Sequence, residues 1–171
     1  MTDGMSYRFC PLCGRPLVPV RDSGDGRERP GCPTGHFIHY EGMAAAVNAV
    51  VFRGEEVVLQ RRAIEPGRGL WDLPGGYLEK FEGPQEGVIR EVREETGLTV
   101  RVGRLLDARA GTRSPVLVLY YEAEPIAGEL QASPESLEVR WFHWRQLPWP
   151  EIAFAAVRDV LRQWIRERFG G

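Results

Sequence analysis

The sequence predicts an α/β domain preceded by a small cysteine-bearing segment. Three observations lead there. Cys10, Cys13 and Cys32, the only cysteines, all fall in the first 32 residues. From residue 44 onward, β-prone runs alternate with turn residues. Two later stretches, about Pro84–Thr96 and about Glu151–Phe169, carry apolar residues at helical spacing. A chain of 171 residues suits one main domain with an appendage, divided here as 1–41 and 42–171.

Composition narrows the function classes. With 43% hydrophobic and 27% charged residues, wholesale disorder is excluded. The formal net charge is -2, and no stripe of basic and aromatic residues stands out, which argues against a dedicated nucleic-acid binder. "MTDGMSYRFC" has no basic start followed by an apolar stretch, so no signal peptide is expected. The longest apolar run, "MAAAVNAVVF", is too short to span a bilayer. The expectation is a cytoplasmic protein with no membrane partner.

The first segment is rich in Cys, Pro, Gly and charge and cannot build an ordinary apolar core. Residues 21–31, "RDSGDGRERPG", read as an exposed loop. Cys10-Pro-Leu-Cys13-Gly14 has the CxxC spacing of a zinc knuckle. "CPTGHFIHY" adds Cys32, His36 and His39. C-x2-C with C-x3-H supplies four N/S ligands for a structural Zn2+: Cys10, Cys13, Cys32 and His36, with His39 the second choice for the fourth. A metal-free ribbon with a buried free Cys32 is the alternative.

In the second segment, "AAAVNAVVF" and "EVVLQRR" form strands joined around "RGEE". "WDLPGG" marks a sharp turn. Further strands are expected in "LTVRVGRLLDAR", in "PVLVLYYEAE" and in "EVRWFHW". The helix between them starts with Pro84 in its first turn and stops at Gly97. Val88 and Val92, with Ile89 beside them, form its buried stripe. Glu91, Glu94 and Glu95 project together from another side. Like charges at that spacing repel, and a divalent cation such as Mg2+ or Mn2+ would offset the repulsion. Taken alone, such a cluster is more often a solvated face, and Arg90 and Arg93 could neutralise it locally.

The longer pattern decides between these readings. "GYLEKFEGPQEGVIREVREETGL", residues 76–98, reads Gly, five residues, Glu, seven residues, Arg-Glu-apolar-any-Glu-Glu-any-Gly-apolar. It resembles the signature of the Nudix hydrolase family at every specified position, and "WDLPGG" and "EVRWF" extend the likeness over about residues 42–168. The resemblance implies an α/β/α sandwich around a mixed sheet and Mg2+- or Mn2+-dependent hydrolysis of a nucleoside diphosphate linked to another group. It implies that Glu91, Glu94 and Glu95 are the metal and catalytic carboxylates, with the base either Glu91 or Glu94. Arg90 would hold a glutamate in position, and the turn at Gly75 and Gly76 would let a backbone carbonyl reach the metal. Glu82 is an outer-shell candidate. So is Glu138, with Glu135 as its substitute.

The cysteine segment resembles the zinc ribbon that precedes the Nudix domain in NADH pyrophosphatases, although Gly35 stands where that pattern has its fourth cysteine. "LLDARAGTRSPVLVLYY" lacks the "SQPWPFP"-type array of those enzymes, which counts against NADH. The expected substrate is a nucleotide small molecule, ADP-ribose or a similar nucleotide sugar or dinucleotide. NADH, a nucleoside triphosphate and a non-catalytic nucleotide-sensing module are the rivals. Arg61, Arg62, Arg109 and Arg113 are candidates for phosphate contact, and Trp71 and Tyr120 for base stacking, though core packing is the commoner duty of such a Trp. Relatives that cleave ADP-ribose are commonly dimers, which leaves a homodimer open.

Overall fold

The computed structural model describes residues 7–111 and 114–170. It divides into two compact units, Met1–Met43 and Ala44–Gly171.

In the first unit, β1 (Val18–Arg21) and β2 (Glu28–Gly31) form an antiparallel hairpin. The expected open loop over 21–31 is therefore a tight turn between strands. Its cause is local charge chemistry. The Asp22 carboxylate accepts from the Gly24 N–H at 2.8 Å, and Arg29 bridges Asp22 and Asp25. Cys10, Asp22, Gly31 and Cys32 are its only buried residues among those described, so this unit has no aliphatic core.

The second unit begins with β3 (Ala44–Arg53) and β4 (Glu56–Arg62), a hairpin turning at Gly54. Then come β5 (Trp71–Asp72), β6 (Gly75–Tyr77), α1 (Pro84–Thr96), β7 (Thr99–Ala110), β8 (Val116–Ala127), β9 (Ser136–His143) and α2 (Ala155–Phe169). The strand order is β5-β4-β3-β8-β7, with β6 added to β3 and β9 to β4. Only β3 and β8 run parallel, so the sheet is mixed.

Strand alternation sends side chains to two cores. Val47, Ala49 and Val51 of β3, with Val58 of β4, join Val88 and Val92 of α1. Val50, Phe52, Val57 and Leu59 join Val160, Leu161 and Trp164 of α2. The result is the expected α/β/α sandwich.

Two boundaries differ from expectation. The last helix starts at Ala155, because the preceding residues dock as extended chain: Ile152 bridges Trp71, and the Ala153 N–H bonds to the Trp71 carbonyl at 2.8 Å. In α1 the buried stripe runs Val88, Val92, Glu95 and Thr96, while Ile89 is exposed. Glu95 lies three residues beyond Val92 and seven beyond Val88, so the helix carries it inward.

Candidate active site

The loop–helix pair from Gly75 to Thr96 gathers Glu82, Glu91 and Glu94 around one guanidinium. Arg90 donates through Nε and Nη2 to both oxygens of Glu82, at 2.7 and 2.8 Å. Its Nη1 donates to Glu91 Oε1 at 2.7 Å and to Glu94 Oε2 at 3.2 Å, and Nη2 also reaches the Tyr77 carbonyl at 3.0 Å. Arg90 thus stitches the loop to the helix and partly neutralises three acids. It holds the Glu82 carboxyl down at about 2. Burial pushes the Glu91 carboxyl up despite Arg90, and the charges of Glu94 and Glu135 add to that.

Glu95 is held differently. Its Oε2 accepts from Gln60 Nε2 at 2.6 Å and from the Gly75 N–H at 2.7 Å. Gln60 Oε1 in turn accepts from the Ser136 hydroxyl. Burial pushes the Glu95 carboxyl up to about 7. Gln60 and Ser136 escaped the sequence reading. The available signal was a glutamine at the end of the apolar run "VVLQ", where a polar side chain needs a buried partner.

Two glycines set the approach of loop to helix. A β-carbon at Gly75 would lie 2.1 Å from the Val47 carbonyl oxygen, and one at Gly76 would lie 2.6 Å from Glu91 Oε1. Each of Glu91, Glu94 and Glu95 ties one carboxylate oxygen to a protein donor. Among the described residues the other oxygen of each has none. No fully enclosed side-chain oxygen among the described residues goes unpaired, so the second oxygen of Glu95 is not sealed from solvent. Three open hard oxygens on one helix suit Mg2+ or Mn2+.

In the first unit, ligand atoms of Cys10, Cys13, Cys32 and His36 all lie within 4.8 Å of one another. Two similar knuckles bring them together. The Cys10 N–H bonds to the Arg15 carbonyl and the Gly14 N–H returns to Cys10; the Cys32 N–H bonds to Phe37 and the Gly35 N–H returns to Cys32. Gly35, at φ +77°, closes the second turn in the position expected of a cysteine, and His36 follows it into the cluster. His39 instead packs its ring on Tyr7, with centroids 5.0 Å apart. Three thiols and an imidazole in this spacing fit a tetrahedral zinc ion.

The family model described as NUDIX domain matches residues 42–165, and the one described as Nudix N-terminal matches residues 8–41. The chain belongs to the Nudix hydrolase family. An ADP-ribose pyrophosphatase of Methanocaldococcus jannaschii is 32% identical over 126 residues, which cover 70% of this chain and 73% of that protein. An NAD-capped RNA hydrolase, NudC, of Stutzerimonas stutzeri is 29% identical over 165 residues, 96% of this chain but only 58% of that protein. A crystal structure of a Nudix hydrolase from Nitrosomonas europaea superposes with a TM-score of 0.87 at 32% identity, covering 96% of this chain and 94% of its own.

Other expected site residues of this Nudix family member are not all brought to the glutamates. Glu138 pairs across the sheet with Arg61, on the strand face opposite to that of Gln60, and its Oε1 lies 3.8 Å from Arg140. Glu135 is the later carboxylate whose charge reaches Glu91. Arg61 bonds the Gly69 carbonyl, Arg62 pairs with buried Asp72 at 2.9 Å, and Arg109 pairs with Asp107 and Asp159. Arg113 lies outside the described residues. Trp71 and Tyr120 are buried in the α2-side core, which takes both rings away from base stacking. No helix among the described residues is long and apolar enough to cross a membrane.

Proposed function

We propose that the protein hydrolyses a phosphoanhydride bond in a nucleoside diphosphate derivative, ADP-ribose or a similar nucleotide sugar or dinucleotide, with Mg2+ or Mn2+. The observation that carries this reading is the set of three glutamates, each anchored by one oxygen and open at the other. Glu91, Glu94 and Glu95 would hold the cation, with the Gly75 carbonyl as a backbone ligand. A cation there would neutralise the diphosphate and lower the pKa of the attacking water.

The chain's own residues divide the remaining work. Arg90 fixes Glu91 and Glu94 in position, and Glu82 fixes Arg90. Gln60 and the Gly75 N–H fix Glu95. An open oxygen of Glu91 or Glu94 accepts the proton of the attacking water. The similarity to an ADP-ribose pyrophosphatase over most of both chains supports the substrate class.

A second reading takes a nicotinamide dinucleotide or its RNA-linked form. It is favoured by the NudC likeness, which spans the ribbon as well as the hydrolase domain. Hydrolysis of ADP-ribose, NADH, a nucleotide sugar and a nucleoside triphosphate, with Mg2+, Mn2+ or chelator, tests both. Metal-dependent turnover that falls at least ~100-fold in both Glu94→Gln and Glu91→Gln is expected. Nucleotide binding with no turnover of any substrate would replace the enzyme by a sensor.

A further inference from the structure

The turn that precedes α1 contains a residue whose conformation and exposure both work against the fold. Phe81 has φ +68° and is the one non-glycine residue in the left-handed region among those described. It is also 94% exposed, the most exposed large apolar side chain there. A bulky L-residue in that region strains its backbone, and the third position of such a turn ordinarily belongs to Gly or Asn. A fully exposed ring gains nothing from burial.

The strain is imposed by the active site's own fixings. The Glu82 N–H bonds to the Glu79 carbonyl at 3.1 Å, which closes a turn with Lys80 and Phe81 at its centre. The Glu82 carboxylate accepts from the Glu79 N–H at 2.9 Å and, through both oxygens, from Arg90. The same guanidinium holds Glu91 and Glu94. Phe81 therefore adjoins a carboxylate that is one guanidinium away from the catalytic candidates. Strain that surroundings over-determine beside such a centre marks a functional constraint.

The neighbour supplies the chemistry. Lys80, the chain's only lysine, sets its ammonium 4.8 Å from the Phe81 ring centroid. A cation on one face leaves the other face of the ring for a flat partner. A ring beside an ammonium suits a ligand that joins an aromatic base to phosphates.

We infer that Phe81 is the base-stacking platform of this enzyme, with Lys80 beside it for the ligand's phosphate, so that the turn selects nucleobase-bearing diphosphates over base-free ones. This rests on the hydrolase reading above and adds a specificity residue to it. No bond is made or broken by the platform, so its effect falls on KM rather than on kcat.

The experiment compares wild type, Phe81→Gly, Phe81→Ala and Phe81→Trp on ADP-ribose and on base-free phosphoribosyl pyrophosphate, with melting temperatures alongside. The Gly and Ala variants should raise the ADP-ribose KM about tenfold or more, while the base-free probe moves far less. The Trp variant should keep the ADP-ribose KM near that of wild type. Phe81→Gly should melt at or above the wild-type temperature, because glycine takes this φ without strain. An ADP-ribose KM unchanged in both small variants overturns the inference, and so does an equal rise for both substrates. Should the wild type turn over neither substrate, the hydrolase reading fails by itself, and calorimetric AMP binding with Mg2+ then decides on Phe81. A tenfold loss of AMP affinity in Phe81→Gly supports the platform; equal affinity, or no AMP bound by the wild type, overturns it.

Discussion

Cys10, Cys13, Cys32 and His36 converge within 4.8 Å, whereas Glu91 and Glu94 are tied to the Arg90 guanidinium and Glu95 is drawn away to Gln60 and the Gly75 N–H. The contrast follows from charge. Thiols and an imidazole can be neutral, so four of them can share a small volume before any ion arrives. Three carboxylates cannot, and each is held by a protein donor that offsets its charge. Packing follows the same division. The cysteine unit buries no aliphatic side chain among its described residues, while the Nudix unit buries two apolar clusters. A metal in the first unit would stand in for a core; a metal in the second would be added to a fold that already has one.

Removing zinc should break this comparison most visibly. Structural zinc contributes on the order of 10 kcal/mol in small ribbon-like peptides, more than this unit could recover from burial. Chelation, or Cys32→Ser, should abolish amide protection over residues 8–41 and leave protection in β3, β8 and α2 intact. Hydrogen exchange read by mass spectrometry, with metal content measured alongside, checks it. Unchanged protection over residues 8–41 in metal-free protein would mean that the unit needs no ion.

Adjacent glycines sharpen the second half of the comparison, where fold and site meet. A methyl at Gly75 meets backbone, the Val47 oxygen at 2.1 Å and Asn48 Cα at 2.7 Å. Gly75→Ala should cost about 2–3 kcal/mol or more in chemical denaturation, since β6 must leave β3. A methyl at Gly76 meets first the movable end of Glu91, at 2.6–2.7 Å. Gly76→Ala should leave stability within ~1 kcal/mol but lower kcat/KM about 100-fold, because a carboxylate shifted by an ångström is misaligned. Equal stability losses for the two variants would dissolve the distinction.

Much of this division was legible in the chain. The spacing of Glu82, Arg90, Glu91 and Glu94 is enough to bring these side chains together as a candidate site, and Pro84 and Gly97 give the helix its observed limits. What stayed hidden depended on neighbours distant in sequence. Nothing in "REVREETG" says that Glu95 turns inward, because its holders, Gln60 and Gly75, come from β4 and β6. Glu138 and Glu135 are equally plausible on paper. The register of β9 on β4 puts Glu138 on the face opposite to that of Gln60, while Glu135, just ahead of β9, is the one whose charge reaches Glu91. Residues 21–31 looked like loop because they are polar, yet a two-stranded hairpin with no core to cover can be polar throughout. Spacing favours His36 over His39, and the turn at Gly35 carries His36 to the three thiols.

The smallest expected effect concerns acid. Arg90 lowers the Glu82 carboxyl from its ordinary 4.5 to about 2, so the folded state binds this proton less readily than the unfolded state does. The stabilisation is complete above about pH 4.5 and is lost as pH falls through about 2. Glu95 has the opposite sign. Burial raises its carboxyl to about 7, so its contribution is complete below 4.5 and lost as pH rises through about 7. The two windows meet near pH 4.5 with slopes of opposite sign, and because other carboxyls titrate below that pH the Glu82 slope is isolated by difference. Stability measured against pH in wild type and Glu82→Gln should diverge steadily from pH 2 to pH 4.5 and run parallel above it. Curves parallel over the whole range would show that Arg90 holds Glu82 no better than solvent does, and that the loop is fixed to α1 by the Tyr77 carbonyl instead.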